Sequence, residues 1–239
     1  MSWKKKIKVY QDGADLKKIS QSVKTDNFVR GFTTNPSLMK KSGVKNYLKF
    51  CKDAAKIVKN KPISFEVFAD DETNMIKQAE KIHEFIGKKN VYIKIPIVNS
   101  KGKSTLKVIK YLANKDIPLN ITAVFTKKQI DGVLKNIKKF NKVIISVFAG
   151  RIADTLKDPV PYILYAKRKS KNFKNVEILW ASTREILNIQ QAINANCDII
   201  TIPDSLFSKF KLINYPLKKL SIDTVQMFLS DAKSSNYKM

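Results

Sequence analysis

Short runs of β-branched and aromatic residues alternate along this chain with longer stretches whose apolar positions recur three and four residues apart. The first pattern predicts strands and the second amphipathic helices. Strands are expected near residues 7–11, 32–34, 63–67, 91–95, 119–124, 143–148, 177–181 and 199–202. Between them, residues 72–86 (ETNMIKQAEKIHEFI) and 127–138 carry helical periodicity. Successive strands are mostly separated by about 25–30 residues, the length of one βα repeat. Eight such alternations in 239 residues predict a single α/β domain, a (β/α)8 TIM barrel over residues 1–239, with a doubly wound sheet as second choice. No G-x-G-x-x-G opens a helix, which counts against a dinucleotide site. The tail SIDTVQMFLSDAK predicts an additional C-terminal helix at about 220–234.

Strands of an all-parallel sheet are covered on both faces and normally read as continuous apolar runs. Several runs here depart from that rule. Side chains alternate faces along a strand, so Ile63, Phe65 and Val67 oppose Ser64 and Glu66, and Val91, Ile93 and Ile95 oppose Tyr92 and Lys94. Likewise Leu119, Ile121 and Ala123 oppose Asn120, Thr122 and Val124, and Val143, Ile145 and Val147 oppose Ile144, Ser146 and Phe148. In a barrel the apolar faces meet the helices. Glu66, Lys94, Asn120, Thr122 and Ser146 then share one interior. Taken singly, Lys94 reads as a charge guarding an edge strand, Glu66 as its ion-pair partner, and Asn120 and Thr122 as satisfied core groups. Buried unpaired charges cost several kcal/mol each, so their recurrence at matching positions of successive strands points to function.

A desolvated amine is a nucleophile toward carbonyls, and the resulting Schiff base acts as an electron sink for cleavage of a neighbouring C–C bond. Such chemistry also needs a general acid/base. Glu66 is one candidate and Asp12, in VYQDGAD, another; Asp15, three residues on, reads better as a helix cap. Anion-binding candidates come later in the chain. Arg151 follows a strand in SVFAGRIAD, and Ser182 and Arg184 lie in LWASTRE, where a helix is expected to begin. Late strand-to-helix loops of such barrels often hold phosphate.

Composition narrows the remaining choices. Hydrophobic residues make up 44 % and aromatics 10 %, a globular balance. No apolar run reaches the ~20 residues of a membrane span, and MSWKKKIKVY lacks the apolar core of a signal peptide. Two distant cysteines, Cys51 and Cys197, form no disulfide framework and suit a reducing cytoplasm. The one histidine, His83, excludes a His-rich metal site and any Ser-His-Asp triad that does not use it. Net charge is +26. The excess is lysine, spread along the sequence in short runs, which reads as solvated helix faces and not as a nucleic-acid surface.

These residues carry a resemblance. The motifs QDGAD (11–15), GFTTNPSL (31–38), FEV (65–67), IKIP (93–96) with Gly102 after it, NITAVFT (120–126), SVFAGRIAD (146–154), ASTRE (181–185) and CDIITIP (197–203) occur in this order. The chain resembles the transaldolase and fructose-6-phosphate aldolase family in its short single-domain form. That resemblance implies a Schiff-base lysine at Lys94, an acid/base at Asp12, and Glu66 with Thr122 holding a water that shuttles protons. It implies Asn35 and Asn120 on the hydroxyls of a dihydroxyacetone unit beside Ser146, and Arg151, Ser182 and Arg184 on the phosphate. No metal or organic cofactor is implied; the partners are sugar-phosphate substrates and further copies of the chain in a homo-oligomer, pentameric or decameric. The aldolase branch resembles this chain less at two positions, with Gln for Glu66 and Tyr for Phe148, groups that help water release dihydroxyacetone. Glu66 with Phe148 therefore suggests a pentose phosphate pathway transaldolase, ahead of an aldolase releasing free dihydroxyacetone and of a non-catalytic polyanion-binding barrel. Gly13, Ala14, Thr183 and Glu185 depart from the commoner pattern, and Glu185 is expected to weaken the grip of Arg184 on phosphate.

Overall fold

A computed structural model describes residues 3–26, 28–87 and 90–235. Its strands are β1 Lys8–Asp12, β2 Val29–Thr33, β3 Ile63–Glu66, β4 Val91–Pro96, β5 Leu119–Val124, β6 Val143–Val147, β7 Val176–Trp180 and β8 Ile199–Pro203. The helices are α1 Leu16–Thr25, α2 Pro36–Lys41, α3 Tyr47–Ile57, α4 Glu72–Ile86, α5 Leu106–Asn114 and α6 Lys127–Lys135. They continue with α7 Ala149–Ala153, α8 Val160–Lys169, α9 Leu187–Asn194, α10 Asp204–Phe207 and α11 Leu217–Ser234. The strands pair in sequence order, all parallel, and β8 closes on β1. This is a (β/α)8 barrel with an additional C-terminal helix. The described residues through Asp204 make up one compact unit and those from Ser205 a second.

Local sequence sets the element ends. Asp15 caps α1, accepting from the amides of Lys17 and Lys18, as a short acceptor at that position should. Gly87 ends α4 in the left-handed region at φ 61°, where a side chain would be strained. Thr126 and Gln129 form a reciprocal capping box that opens α6. Helix α6 stops at Lys135, three residues before the apolar period suggests, and α11 begins at Leu217, just after Pro216. Strand β2 starts earlier than its apolar run because Arg30 and Gly31 interrupt the pattern.

Strand register fixes what shares the lumen. Glu66 pairs with Lys94, Lys94 with Asn120, and Asn120 with Ile144. The helix-facing partners Val91, Ile93, Ile95, Leu119 and Ile121 are fully buried. Deeper in the lumen, Tyr10, Ile144, Leu179, Ala181 and Ile199 form an apolar plug, with Tyr92 and Phe148 packed against it. The plug explains Gly31. A Cβ built there would lie 2.6 Å from the Tyr10 ring, so glycine on β2 makes room for the tyrosine on β1.

Gly31→Ala should therefore destabilise the fold by about 1–3 kcal/mol through overpacking. Urea denaturation measures this as a lower midpoint; an unchanged midpoint would show that the Tyr10 ring has space to move.

Candidate active site

The C-terminal ends of the strands open onto a cavity of about 490 Å3. Its lining includes Asp12, Asn35, Glu66, Lys94, Thr122 and Ser146 from the strand ends, and Phe148, Arg151 and Ser182 from the loops beyond. Lys94 lies at the floor and is 6 % exposed. Its Nζ is 3.1 Å from Glu66 Oε2 and donates to the carbonyl of Thr34 at 3.0 Å. Cross-strand register puts the carboxylate beside the amine, and the charge pair meets the requirement that buried ions be partnered.

Two hydrogen-bonded chains flank this pair. On one side Ser146 Oγ donates to Asn120 Oδ1 at 2.7 Å, and Asn120 Nδ2 donates to Ser64 Oγ at 3.0 Å. Asn120 is completely buried and lies beneath the cavity wall, with both ends of its amide in use. On the other side Thr33 Oγ1 donates to Asp12 Oδ1 at 2.7 Å and also bonds Thr201 Oγ1. A hydroxyl has one proton, so with Asp12 ionised the order is Thr201 to Thr33 to Asp12. The buried Thr122 hydroxyl makes no hydrogen bond among the described residues.

Neither Thr33 nor Thr201 is singled out by the sequence reading, although both alternate inward on their strands with Gly31 and Ile199. Gln11 and Asp204 were missed for a different reason. Gln11 Nε2 donates to Asp204 Oδ1 at 2.7 Å, joining two ends of the barrel sequence. Asp204 also lies close to Gly13: a Cβ there would be a tight 3.3 Å from its carboxylate oxygens.

The backbone is bent where the cavity needs it. The β5–β6 ladder shifts register between Ile121 and Val124, and Ala123 lies at φ 57°. Ser182 lies at φ 64°. Left-handed conformations at non-glycine residues are costly and gather at functional sites. Gly150 lets the loops after β6 and β7 touch; a Cβ there would fall 1.7 Å from the Ser182 carbonyl oxygen. This approach joins Arg151, on α7, to Ser182 in one rim.

Arg184 stands apart. Its guanidinium pairs with Asp154 at 2.5 Å, both side chains half exposed, and it does not line the cavity. The competing carboxylate is thus Asp154, and Glu185 makes no ion pair among the described residues. The expected helix start at ASTRE is displaced as well. Helix α9 begins at Leu187 without a side-chain cap, while the Thr183 hydroxyl ties the intervening loop to the Thr201 carbonyl at 2.7 Å. The left-handed turn at Ser182 delays the helix. Asn35 lines the cavity, but its side-chain oxygen is used in capping α2 through the Leu38 amide.

The sequence profile of the Transaldolase/Fructose-6-phosphate aldolase family matches residues 9–239. The chain belongs to that family. It is 34 % identical over 230 residues to a probable transaldolase of Sulfurihydrogenibium sp. (strain YO3AOP1), covering 95 % of this chain and 97 % of that one. It is 30 % identical over 234 residues to a probable transaldolase of Clostridioides difficile (strain 630), covering 98 % and 100 %. Among solved structures, a putative lyase/mutase from Burkholderia cenocepacia J2315 shares the fold at a TM-score of 0.57 and 7 % identity, over 95 % of this chain and 83 % of that one. N-acetylneuraminate lyase from Mycoplasma synoviae does so at 0.55 and 11 %, over 97 % and 81 %. Family and relatives make this an aldolase-type enzyme. No described helix is long and apolar enough to cross a membrane.

In this transaldolase-family site the Asp12 carboxyl is held above its usual range. Burial is the main cause; the charge of Lys94 and the Thr33 hydroxyl oppose it, and the carboxylates of Asp204 and Glu66 add to it. An acid that holds its proton more tightly folded than unfolded costs stability as pH rises. The cost is absent below the ordinary aspartate range near 4 and complete above the raised folded value. Asp12→Asn removes the charge and keeps the acceptor for Thr33. Its melting temperature should exceed wild type by a few degrees at about pH 8, with the difference fading toward pH 4. A difference independent of pH would refute this origin.

Proposed function

We propose that this protein is a transaldolase that moves a dihydroxyacetone unit from a ketose phosphate to an aldose phosphate through a Schiff base on Lys94. One observation carries the reading. A lysine amine sits at the floor of a cavity, 3.1 Å from one carboxylate, and a second carboxylate, Asp12, lines the same cavity.

Glu66, 3.1 Å away, takes a proton from the Lys94 ammonium, and the freed amine attacks the ketose carbonyl carbon, giving a carbinolamine. Glu66 and the unsatisfied Thr122 hydroxyl hold the water that relays protons while the carbinolamine hydroxyl leaves as water. Asp12 takes the proton from the sugar hydroxyl next to the scissile bond. The C–C electron pair flows into the protonated imine, the aldose leaves, and an enamine remains on Lys94. Attack of that enamine on an acceptor aldehyde re-forms a C–C bond, and Asp12 returns the proton to the new hydroxyl. Water then frees the product ketose. Asn35 and Ser146 face the dihydroxyacetone hydroxyls, while Asn120 works from beneath by fixing Ser146.

The alternative is hydrolysis of the enamine to free dihydroxyacetone. Phe148 favours transfer. Its ring lies 5.6 Å from that of Phe125, and both line the cavity, so this wall offers water no hydrogen bond. Such a transferase interconverts sugar phosphates in the cytoplasmic pentose phosphate pathway. Borohydride reduction with fructose 6-phosphate should add the mass of the sugar adduct at Lys94, and Lys94→Ala should lose both label and activity, by about a thousandfold or more. Rapid release of dihydroxyacetone without an acceptor would favour the aldolase, and labelling of Lys94→Ala would remove Lys94 from the reaction.

For phosphate, Arg151 and Ser182 are already at the rim, and Arg184 joins them once it leaves Asp154. An exposed ion pair is worth about 0.2–1 kcal/mol. Asp154→Asn should accordingly lower KM for sugar phosphates up to about fivefold with kcat unchanged. An unchanged KM would mean that Arg184 takes no part in binding phosphate.

A further inference from the structure

Lysine runs that are evenly spaced in the sequence are not evenly spaced in the fold. Loops leading into strands carry Lys59 and Lys61 before β3, Lys138, Lys139 and Lys142 before β6, and Lys171 and Lys174 before β7. Loops leaving strands carry Asp15 after β1, Asp70 and Asp71 after β3, and Asp154 and Asp158 beyond β6. These runs, with Lys4, Lys5 and Lys6 before β1, share one end of the barrel, the N-terminal mouth, opposite the cavity of Lys94; other lysines, such as Lys101 and Lys103 after β4, lie at the opposite end.

Two depressions adjoin at that mouth. One, of about 630 Å3, is lined by Lys142, Lys171 and Lys174 together with Tyr92 and Phe173. The other, of about 810 Å3, is lined by Lys4, Lys5, Lys6 and Arg30. They meet at Lys8, Glu177 and Asp198. The acidic groups at this junction are already engaged, Glu177 by Lys8 at 2.6 Å and Asp198 by Lys167 at 2.6 Å. Lys142, Lys171 and Lys174 make no ion pair among the described residues.

Helix C-termini attract cations, and the N-terminal mouth gathers those ends. That attraction fades beyond the last turn. It accounts for Lys135 and Lys169, the final residues of α6 and α8, but not for lysines several residues past them. Aromatic rings are placed among these outlying lysines. Phe140 is 60 % exposed. Its loop is stitched to the next lysine loop by Asn175 Nδ2 donating to the Phe140 carbonyl at 2.8 Å and the Lys174 amide donating to the Lys139 carbonyl at 3.1 Å.

We propose that the N-terminal mouth of the barrel binds single-stranded nucleic acid, with phosphates on Lys142, Lys171 and Lys174 and bases against Phe140 and Phe173. Exposed cations lining a hollow, with neighbouring rings, are the pattern that holds a flexible strand without sequence preference. Two connected hollows suit a chain that can bend into both, whereas a flat bilayer reaches only their rims. The site is separate from the sugar cavity and does not depend on Lys94.

Fluorescence anisotropy with a labelled oligouridylate of about twelve nucleotides tests this, at about 50 and 200 mM salt. Wild type should bind, and binding should weaken with salt. The triple variant K142E/K171E/K174E should bind about tenfold more weakly or worse and lose about two units of the salt slope. Phe140→Ala should weaken binding a fewfold at unchanged slope. The control triple K45E/K81E/K110E carries the same charge change on other exposed lysines and should stay within about twofold of wild type. Circular dichroism shows whether each variant is folded. An equal loss in both triples would reduce the effect to net charge and overturn the site. So would no oligouridylate binding by wild type, with or without binding to phosphatidylserine vesicles.

Discussion

Lys94 and Glu66 lie side by side on adjacent strands, 3.1 Å apart and nearly closed off from solvent. Two charges in such a place are tolerated only while each has the other and further hydrogen bonds complete them. Much of the upper lumen follows from that requirement. The Thr34 carbonyl accepts a second hydrogen bond from the lysine. The chains Ser146–Asn120–Ser64 and Thr201–Thr33–Asp12 satisfy the polar groups on either side. Below, the Tyr10 plug seals the lumen, and Gly31 exists to admit it. A barrel with an apolar lumen would be easier to stabilise. This one carries polar groups at the ends of its strands, and they leave the buried amine of Lys94 both shielded and partnered.

The face of each strand was legible because two residues per repeat is a strict period, and one slip would move every side chain to the wrong side. Glu66, Lys94, Asn120, Thr122 and Ser146 were therefore expected to share one interior; the register pairs Glu66 with Lys94 and Lys94 with Asn120, and Glu66, Lys94, Thr122 and Ser146 line one cavity. Long-range polar pairing was not legible. Thr33 and Thr201 are 168 residues apart, and nothing in a single sequence couples them. Nor could the sequence choose between Glu185 and Asp154 as the partner of Arg184. The neighbour in sequence seemed the natural competitor, but the left-handed turn at Ser182 and the contact at Gly150 bring the loop after β6 to it instead.

Charge is the other feature whose arrangement shows only in the fold. Lysines in short runs look diffuse on a line. On a barrel, a run that recurs at the repeat length arrives each time at the same end. The helix periods were read correctly, yet the junctions between helix and strand, where the runs fall, were treated as incidental.

The barrel's geometry puts different surfaces at its two ends. Its strands are mostly five or six residues long, so the mouths are separated by roughly 17–20 Å along the sheet. Lys94 is the fourth of the six residues of β4, and the charged groups that face it directly are Glu66 and Asp12. In the C-terminal loops acidic and basic groups are mixed, and several are committed to caps and ion pairs. The loops at the opposite end carry none of the residues that line the Lys94 cavity, and lysines accumulate there. The same fold thus supports a pocket in which lysine and carboxylates are paired at one end and a basic, aromatic-bearing surface at the other, because the loops that build them leave opposite ends of the same eight strands.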